Sequence, residues 1–327
     1  MTIGINGSFM LKQETVYGTK ATPDVSQEIK SEGFVATNNL IQPVYVSNSP
    51  YFLRTLMGPL DASGSVAIDL TPEGAMGWLL KGLFGSVSSS LVATGVYDHT
   101  FTPAITLPSF TIQTDRVGAC IWWIGSVIQS MDINITTDAL LEATVNWVCQ
   151  QPETNTAETP SFSLLDPWTA YEVAIDLNGV SDLMFRNLSL NISRESEGDR
   201  TLNTQRYISG VTPKMFSMNG SFELEFDDAD QWERFLGAIA ATSAQKTQDS
   251  QALTITITST DAITGAYYYS LTFNIYEFYI EDANAPISAP NDRILQTVNF
   301  VTNFNQSESK LLNCVLRNSE DEYADPS

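Results

Sequence analysis

Gly64-Ser-Val-Ala-Ile-Asp-Leu70, continued by Thr71-Pro-Glu-Gly-Ala-Met-Gly-Trp-Leu-Leu-Lys-Gly-Leu-Phe-Gly85, is the stretch on which the fold turns. Its first seven residues alternate apolar and polar, so one face enters a core while the other stays polar, as in an antiparallel sheet. The period then changes. Met76, Leu79, Leu80, Leu83 and Phe84 follow the i, i+3, i+4, i+7, i+8 rule, which predicts a helix from Pro72 to Phe84. Thr71 is the expected N-cap, Pro72 suits the first helical position, and Glu73 suits the positive end of the helix dipole. Gly85 is the expected stop.

The same unit is met again 156 residues on, from Gly64 to Gly220. Without a gap, Val66, Ile68 and Leu70 fall on Phe222, Leu224 and Phe226, and Thr71 falls on Asp227, the expected cap of a second helix. Met76, Leu79, Leu80 and Leu83 fall on Trp232, Phe235, Leu236 and Ile239, so both apolar stripes are expected to pack a helix onto a core. Downstream, Gly118-Ala119 matches Gly265-Ala266, and Thr144-Val-Asn-Trp-Val148 matches Thr297-Val-Asn-Phe-Val301. Ordered anchors at a long period indicate an internal duplication.

Alternation also marks Met131–Ile135, Val145–Val148, Leu188–Ile192, Leu253–Ile257 and Val298–Phe300 as strands. The expected fold is therefore mainly β: two tandem antiparallel β-sandwich or barrel units, each with a flanking α-helix. The expected division is a first unit with an N-terminal arm over 1–150, a linker rich in Pro, Thr and Glu over 151–167, and a second unit with an acidic C-terminal tail over 168–327.

Composition narrows the function. Among 327 residues, 38 acidic side chains stand against 16 basic ones, a net charge of −22 with a pI near 4.2. Gripping a nucleic-acid backbone needs clustered Lys and Arg, so a sequence reader or packaging clamp is a poor fit. Cys120, Cys149 and Cys314 are far apart, with no C-x-x-C spacing, and read as buried small apolar residues. The first ten residues lack the basic and apolar regions of a signal peptide, and Ala119–Ile128 is too short to span a bilayer, so no membrane partner is expected.

Catalytic chemistry finds no foothold. His99 is the sole histidine, and no G-x-S-x-G, H-E-x-x-H or phosphate-cradling glycine loop is present. No cofactor, metal or catalytic residue is assigned. The acidic groups at 195–199, 227–230 and 320–322 read as a Gly-containing loop, a helix cap and a solvated tail; the first leaves a calcium site open as an alternative, without the ordered ligand spacing of an EF-hand. Trp122-Trp123 and Tyr267–Tyr269 lie in alternating stretches, where aromatic residues fill cores or interfaces more often than they bind sugars.

An ordered set of features resembles the tail tube proteins of long-tailed bacteriophages. It begins with Gln13-Glu-Thr-Val-Tyr-Gly-Thr19 and Ala21-Thr-Pro23, then the strand and helix of 64–85. Tyr97-Asp-His-Thr-Phe101, Leu107-Pro-Ser-Phe-Thr-Ile112 and two long strands separated by Ile124-Gly-Ser126 complete it. The resemblance covers roughly residues 10 to 150 directly and the second half through the repeat.

It implies a non-enzymatic virion protein, assembled in the host cytoplasm, whose rings stack into a hollow tube beside other tail proteins. It also implies inner sheets joined into one barrel, with DNA passing through unbound. Two tube-like units per chain imply a trimer imitating a hexameric ring, with a hexamer the other stoichiometry left open. Lumen-facing candidates are Asp132, Asn134 and Glu142 in the first unit and Glu277, Glu281 and Asp282 in the second; acids that merely keep the chain soluble are the rival explanation. Segments 42–59 and 201–214 are candidate arms to a neighbouring ring. A trimeric baseplate hub with duplicated tube domains is the nearest alternative, disfavoured by the little sequence after the second unit; a carbohydrate-binding or hydrolytic β-sandwich is the more distant one.

Overall fold

The structure, a computed structural model, describes residues 6–325 except 47, 182, 203–204, 288 and 290–292. Residues 1–5 of the N-terminal arm, 47 of the first candidate arm, 203–204 of the second and 326–327 of the tail thus lie outside the described residues. Strands make up 51% of the chain against 6% helix, so the fold is mainly β.

The first half contains β1 (Ser8–Gln13), β2 (Val25–Gln27), β3 (Ser31–Glu32), β4 (Val35–Asn38) and β5 (Leu60–Asp69), then α1 (Met76–Phe84). It continues with β6 (Gly85–Ala93), β7 (Val96–Pro103), β8 (Phe110–Asp115), β9 (Cys120–Thr136), β10 (Glu142–Cys149) and β11 (Gln151–Thr154). The second half contains β12 (Val173–Leu177), β13 (Phe185–Ser193), β14 (Glu197–Asp199), β15 (Gly210–Thr212) and β16 (Ser217–Glu225), then α2 (Asp230–Leu236). It ends with β17 (Gln251–Thr264), β18 (Tyr267–Asn284), β19 (Leu295–Thr302) and β20 (Leu312–Asn318).

One wide antiparallel sheet runs through both halves in the order β3/β4, β5, β10, β9, β13, β16, β19, β18. It does not close into a barrel. The long strands β9 and β18 turn a corner and serve a second layer as well. The first part of β9 pairs with β8 and β11, and β8 with β1; the first part of β18 pairs with β17 and β20, and β17 with β12. The hairpin β6–β7 of the first half adds to β20 of the second.

Register recurs as well as order. Val66 faces Val145, and Phe222 faces Val298. The β9–β10 ladder slips between Ser130 and Ile128, leaving Gln129 unpaired; the β18–β19 ladder slips between Ile280 and Asp282, leaving Glu281 unpaired. The extra residue of a bulge thus sits at corresponding places, 152 residues apart (129 to 281).

Between the layers lies the core. Phe110 of β8 meets Trp147 of β10 edge-on, ring centres 5.8 Å apart, and Phe34 lies 5.3 Å from Trp123. Met76, Leu79, Leu80 and Leu83 of α1 are fully buried, each stabilising by about 1.5–3 kcal/mol relative to an exposed side chain.

Four local expectations need correction. Helix α1 starts at Met76, because Gly74 takes φ +75° and breaks the turn after Pro72. Thr71 instead donates to the Glu73 carbonyl, and the Gln27 side chain accepts from the Ala75 amide. Helix α2 starts at Asp230, whose amide donates to Asp228 Oδ1, so Asp227 is not its cap. The two strands expected around Ile124-Gly-Ser126 are the single strand β9, bent at Gly125 with φ +61°. Gln151–Thr154 of the linker is strand β11, paired with β9.

Candidate lumen face and open sheet edges

Alternation gives the wide sheet two unlike faces. Val66, Ile68, Met131, Ile133, Val145, Leu190, Ile192, Phe222 and Val298 point into the core and are buried. The intervening positions, among them Ser63, Ser65, Ser130, Asp132, Asn134, Thr144, Asn146, Ser189, Asn191, Ser221, Glu223 and Asn299, form the other face.

Short polar side chains bridge neighbouring strands on this face. The Asp132 carboxylate accepts from Asn191 Nδ2 at 2.5 Å and from Asn146 Nδ2 at 3.3 Å. Ser189 donates to Asn134 Oδ1 at 3.0 Å, and Asn187 donates to Glu223 Oε2 at 2.7 Å. These donors are neutral, so they hold the carboxylates in place without cancelling their charge.

Cations meet the sheet at its margins. Lys30 bonds to Asp69 and Glu142, Arg200 to Asp61, and Arg186 and Arg293 both to Glu225. Hydrogen bonds to Glu142, then Asp69, hold the Lys30 ammonium above the usual lysine range. Such exposed pairs stabilise little, about 0–1 kcal/mol each, but they offset charge at the ends of β5, β10 and β16 and leave Asp132 and Glu223 in mid-sheet without an ion-pair partner among the described residues.

The six sequence candidates divide accordingly. Asp132 and Asn134 sit on the polar face, and Glu142 stands opposite Asn134 but is ion-paired to Lys30. Asp282 faces Asn299, and Glu281 is the exposed bulge residue. Glu277, at the bend of β18, accepts from Tyr279 Oη. Glu223, Asn146 and Asn191 were not among the candidates, although β16 alternation alone exposes Glu223. The two helical stripes also differ. Phe235 and Leu236 are half-buried, Trp232 is 42% exposed, and Ile239 lies beyond the end of α2, 53% exposed.

Among the described residues, no further strand covers either end of the sheet. β4 pairs with β5 on one side, and all four of its residues are exposed. Its continuation is closed off: the Phe34 amide donates to Glu32, and Arg116 donates to the Phe34 carbonyl and to Glu32. Burial alone would raise the Glu32 carboxyl, but the Arg116 and Phe34 hydrogen bonds outweigh it and hold the group below its usual range. At the far end, β18 beyond Phe278 pairs with no strand but β19 among the described residues, and its Ile280 carbonyl accepts from Gln248 Nε2 at 3.0 Å.

Other groups with chemical potential are used internally. His99 is fully buried, bonded to Ser89 Oγ through Nδ1 and to Asn318 Oδ1 and the Glu320 carbonyl through Nε2. The Lys81 ammonium, nearly buried, donates to Gln13 Oε1, the Tyr323 carbonyl and Asp325 Oδ1, each at 2.8 Å. Burial pushes the Cys149 thiol up to about 12 and the Cys314 thiol well above its usual range. Among the described residues no group of three His, Cys, Asp or Glu is arranged to hold a metal.

Comparison with protein families matches residues 4–301 to the family described as phage tail tube protein, nearly the whole chain. Comparison with curated proteins gives no match.

Proposed function

The chain belongs to the phage tail tube protein family, and on that footing we propose that its copies close into rings that stack as a conduit for DNA. The observation that carries this role is the wide sheet: eight strand positions, one polar face, and at each end an edge that no further strand pairs among the described residues. An unpaired edge is an aggregation hazard for a lone chain and an assembly element for a ring subunit. The recurring register supports an ancestral duplication, so that each chain supplies two tube-like units and three chains make the ring.

The polar face lines the channel. DNA presents one negative charge per about 1.7 Å of helix axis, and binding it requires cations that displace its counterions. A wall of Ser, Asn and Thr with uncompensated carboxylates at Asp132 and Glu223 offers no such cations in mid-sheet and repels the phosphates. Screening confines that repulsion to roughly 8 Å at physiological salt, so it acts close to the wall, where adhesion would stall the polymer. The role is structural and passive.

Electron microscopy of the purified protein tests it. Stacked rings or long tubes are expected. Isolated rings that never stack would point to a hub, and a chain that stays monomeric would overturn the conduit role.

A further inference from the structure

The junction between the two halves of the chain, β9 against β13, has a counterpart whose two sides meet no partner strand among the described residues. β13 lies on β16 as β3 and β4 lie on β5: Leu188 faces Phe222, and 156 residues earlier Glu32 faces Val66. The later part of β9 lies on β10 as the end of β18 lies on β19, with the bulge residue at Gln129 in one and Glu281 in the other. In the first junction β13 pairs with β9 over seven residues, from Asn187 with Thr136 to Ser193 with Ser130. The strands that would make the second junction, β4 and β18, are at opposite ends of the same sheet and cannot meet within one chain.

Granted the ring proposed above, we infer that β4 of one copy pairs antiparallel with β18 of the next, in the register that the β9–β13 junction prescribes. Carrying each partner across by its own offset sets Thr37 opposite Asp282 and Val35 opposite Asn284. Ala36 then faces Ala283. Arg194 N donates to Gln129 O at 2.9 Å in the existing junction, and Asn38 N to Glu281 O is its equivalent.

The main-chain directions agree. Gly33 N and Asn39 N donate to Ser65 O and Pro59 O on the β5 side, so two-residue alternation turns the amides of Ala36 and Asn38 outward. The Arg116–Glu32 clamp occupies the outward groups of Phe34 and limits the new ladder to β4. A charged side chain across a strand end is how sheet proteins keep an edge from pairing in the wrong register. Thr37 and Asp282 form a pair without mutual main-chain hydrogen bonds, where side chains approach most closely.

Cysteine cross-linking tests the pairing. Cys120, Cys149 and Cys314 are buried and leave the background quiet. In assembled Thr37→Cys/Asp282→Cys protein, mild oxidation is expected to yield covalent multimers up to the closed ring, reversible by reductant. Each single variant and the shifted pair Val35→Cys/Asp282→Cys should stay monomeric on a denaturing gel. If the first pair fails to assemble, Val35→Cys/Asn284→Cys is the second in-register pair. Rings or tubes without in-register cross-links, or with equal cross-linking of the shifted pair, would overturn the pairing while leaving the tube role intact. Wild-type protein that forms no rings would overturn both.

Discussion

Asn191 donates its side-chain amide to the Asp132 carboxylate at 2.5 Å, tying the first and second halves of the chain together on the polar face of the wide sheet. The contact joins β13 to β9 and keeps an uncompensated negative charge in mid-sheet. Asp132→Lys reverses that charge while leaving the strand backbone unaltered. Tubes should form with stability within about 1–2 kcal/mol of wild type, and DNA delivery by phage carrying the change should slow. Delivery equal to wild type would show that this carboxylate does not act on the passing polymer.

Glu142→Gln should behave differently. Its partner Lys30 also holds Asp69, so the change removes an acid that is already offset. The expected cost is below about 1 kcal/mol in a urea melt, with DNA delivery near wild type. A delivery defect as large as that of Asp132→Lys would place Glu142 among the active wall charges.

Burial holds the His99 imidazole below the ordinary histidine range, against the opposing hydrogen bonds of Asn318 and the Glu320 carbonyl and the fields of Asp98 and Asp321. The unfolded chain therefore binds a proton first as pH falls through about 6.5. The stability contributed by neutral His99 is complete above that pH and is lost progressively below it. Melting temperatures from pH 7.5 to 5.5 should fall more for wild type than for His99→Gln. Parallel curves would remove His99 from the pH response.

Lys81→Met should loosen the C-terminal tail, since the ammonium is the common donor to Gln13, Tyr323 and Asp325. Asp325 is largely solvent-exposed and can rehydrate, so the loss is set at about 1–3 kcal/mol. Limited proteolysis should cut within 319–325 before any other site. Unchanged protection of that segment would mean Tyr323, packed on Gly77, holds the tail unaided.

Gly125→Ala places a Cβ 2.7 Å from Gln150 Cβ at a backbone φ of +61°. The left-handed conformation costs about 1–2 kcal/mol and the crowding about 1–3 kcal/mol more. A urea midpoint within error of wild type would show that the bend in β9 does not depend on glycine.

The strands were legible because alternation is local. Every alternating run read from sequence lies within a strand, apart from Leu70 and Phe226 at the ends of theirs. Helix starts were less so, because Gly74 breaks one first turn and Asp228 rather than Asp227 serves the other. The exposure of Trp232 had no local signal: its counterpart Met76 is buried, and the C-terminal tail packs on α1 rather than α2. The polar face could be named from alternation, but not which of its acids are offset. Lys30 reaches Glu142 from 112 residues away, and only pairing of β3 and β10 on either side of β5 brings them together.

A reconstruction by cryo-electron microscopy of the assemblies formed by the purified chain tests the tube role most directly. The expected density is stacked rings with Asp132, Asn146, Asn191 and Glu223 facing the channel. Rings with that face turned outward, or a chain that remains monomeric at high concentration, would contradict it.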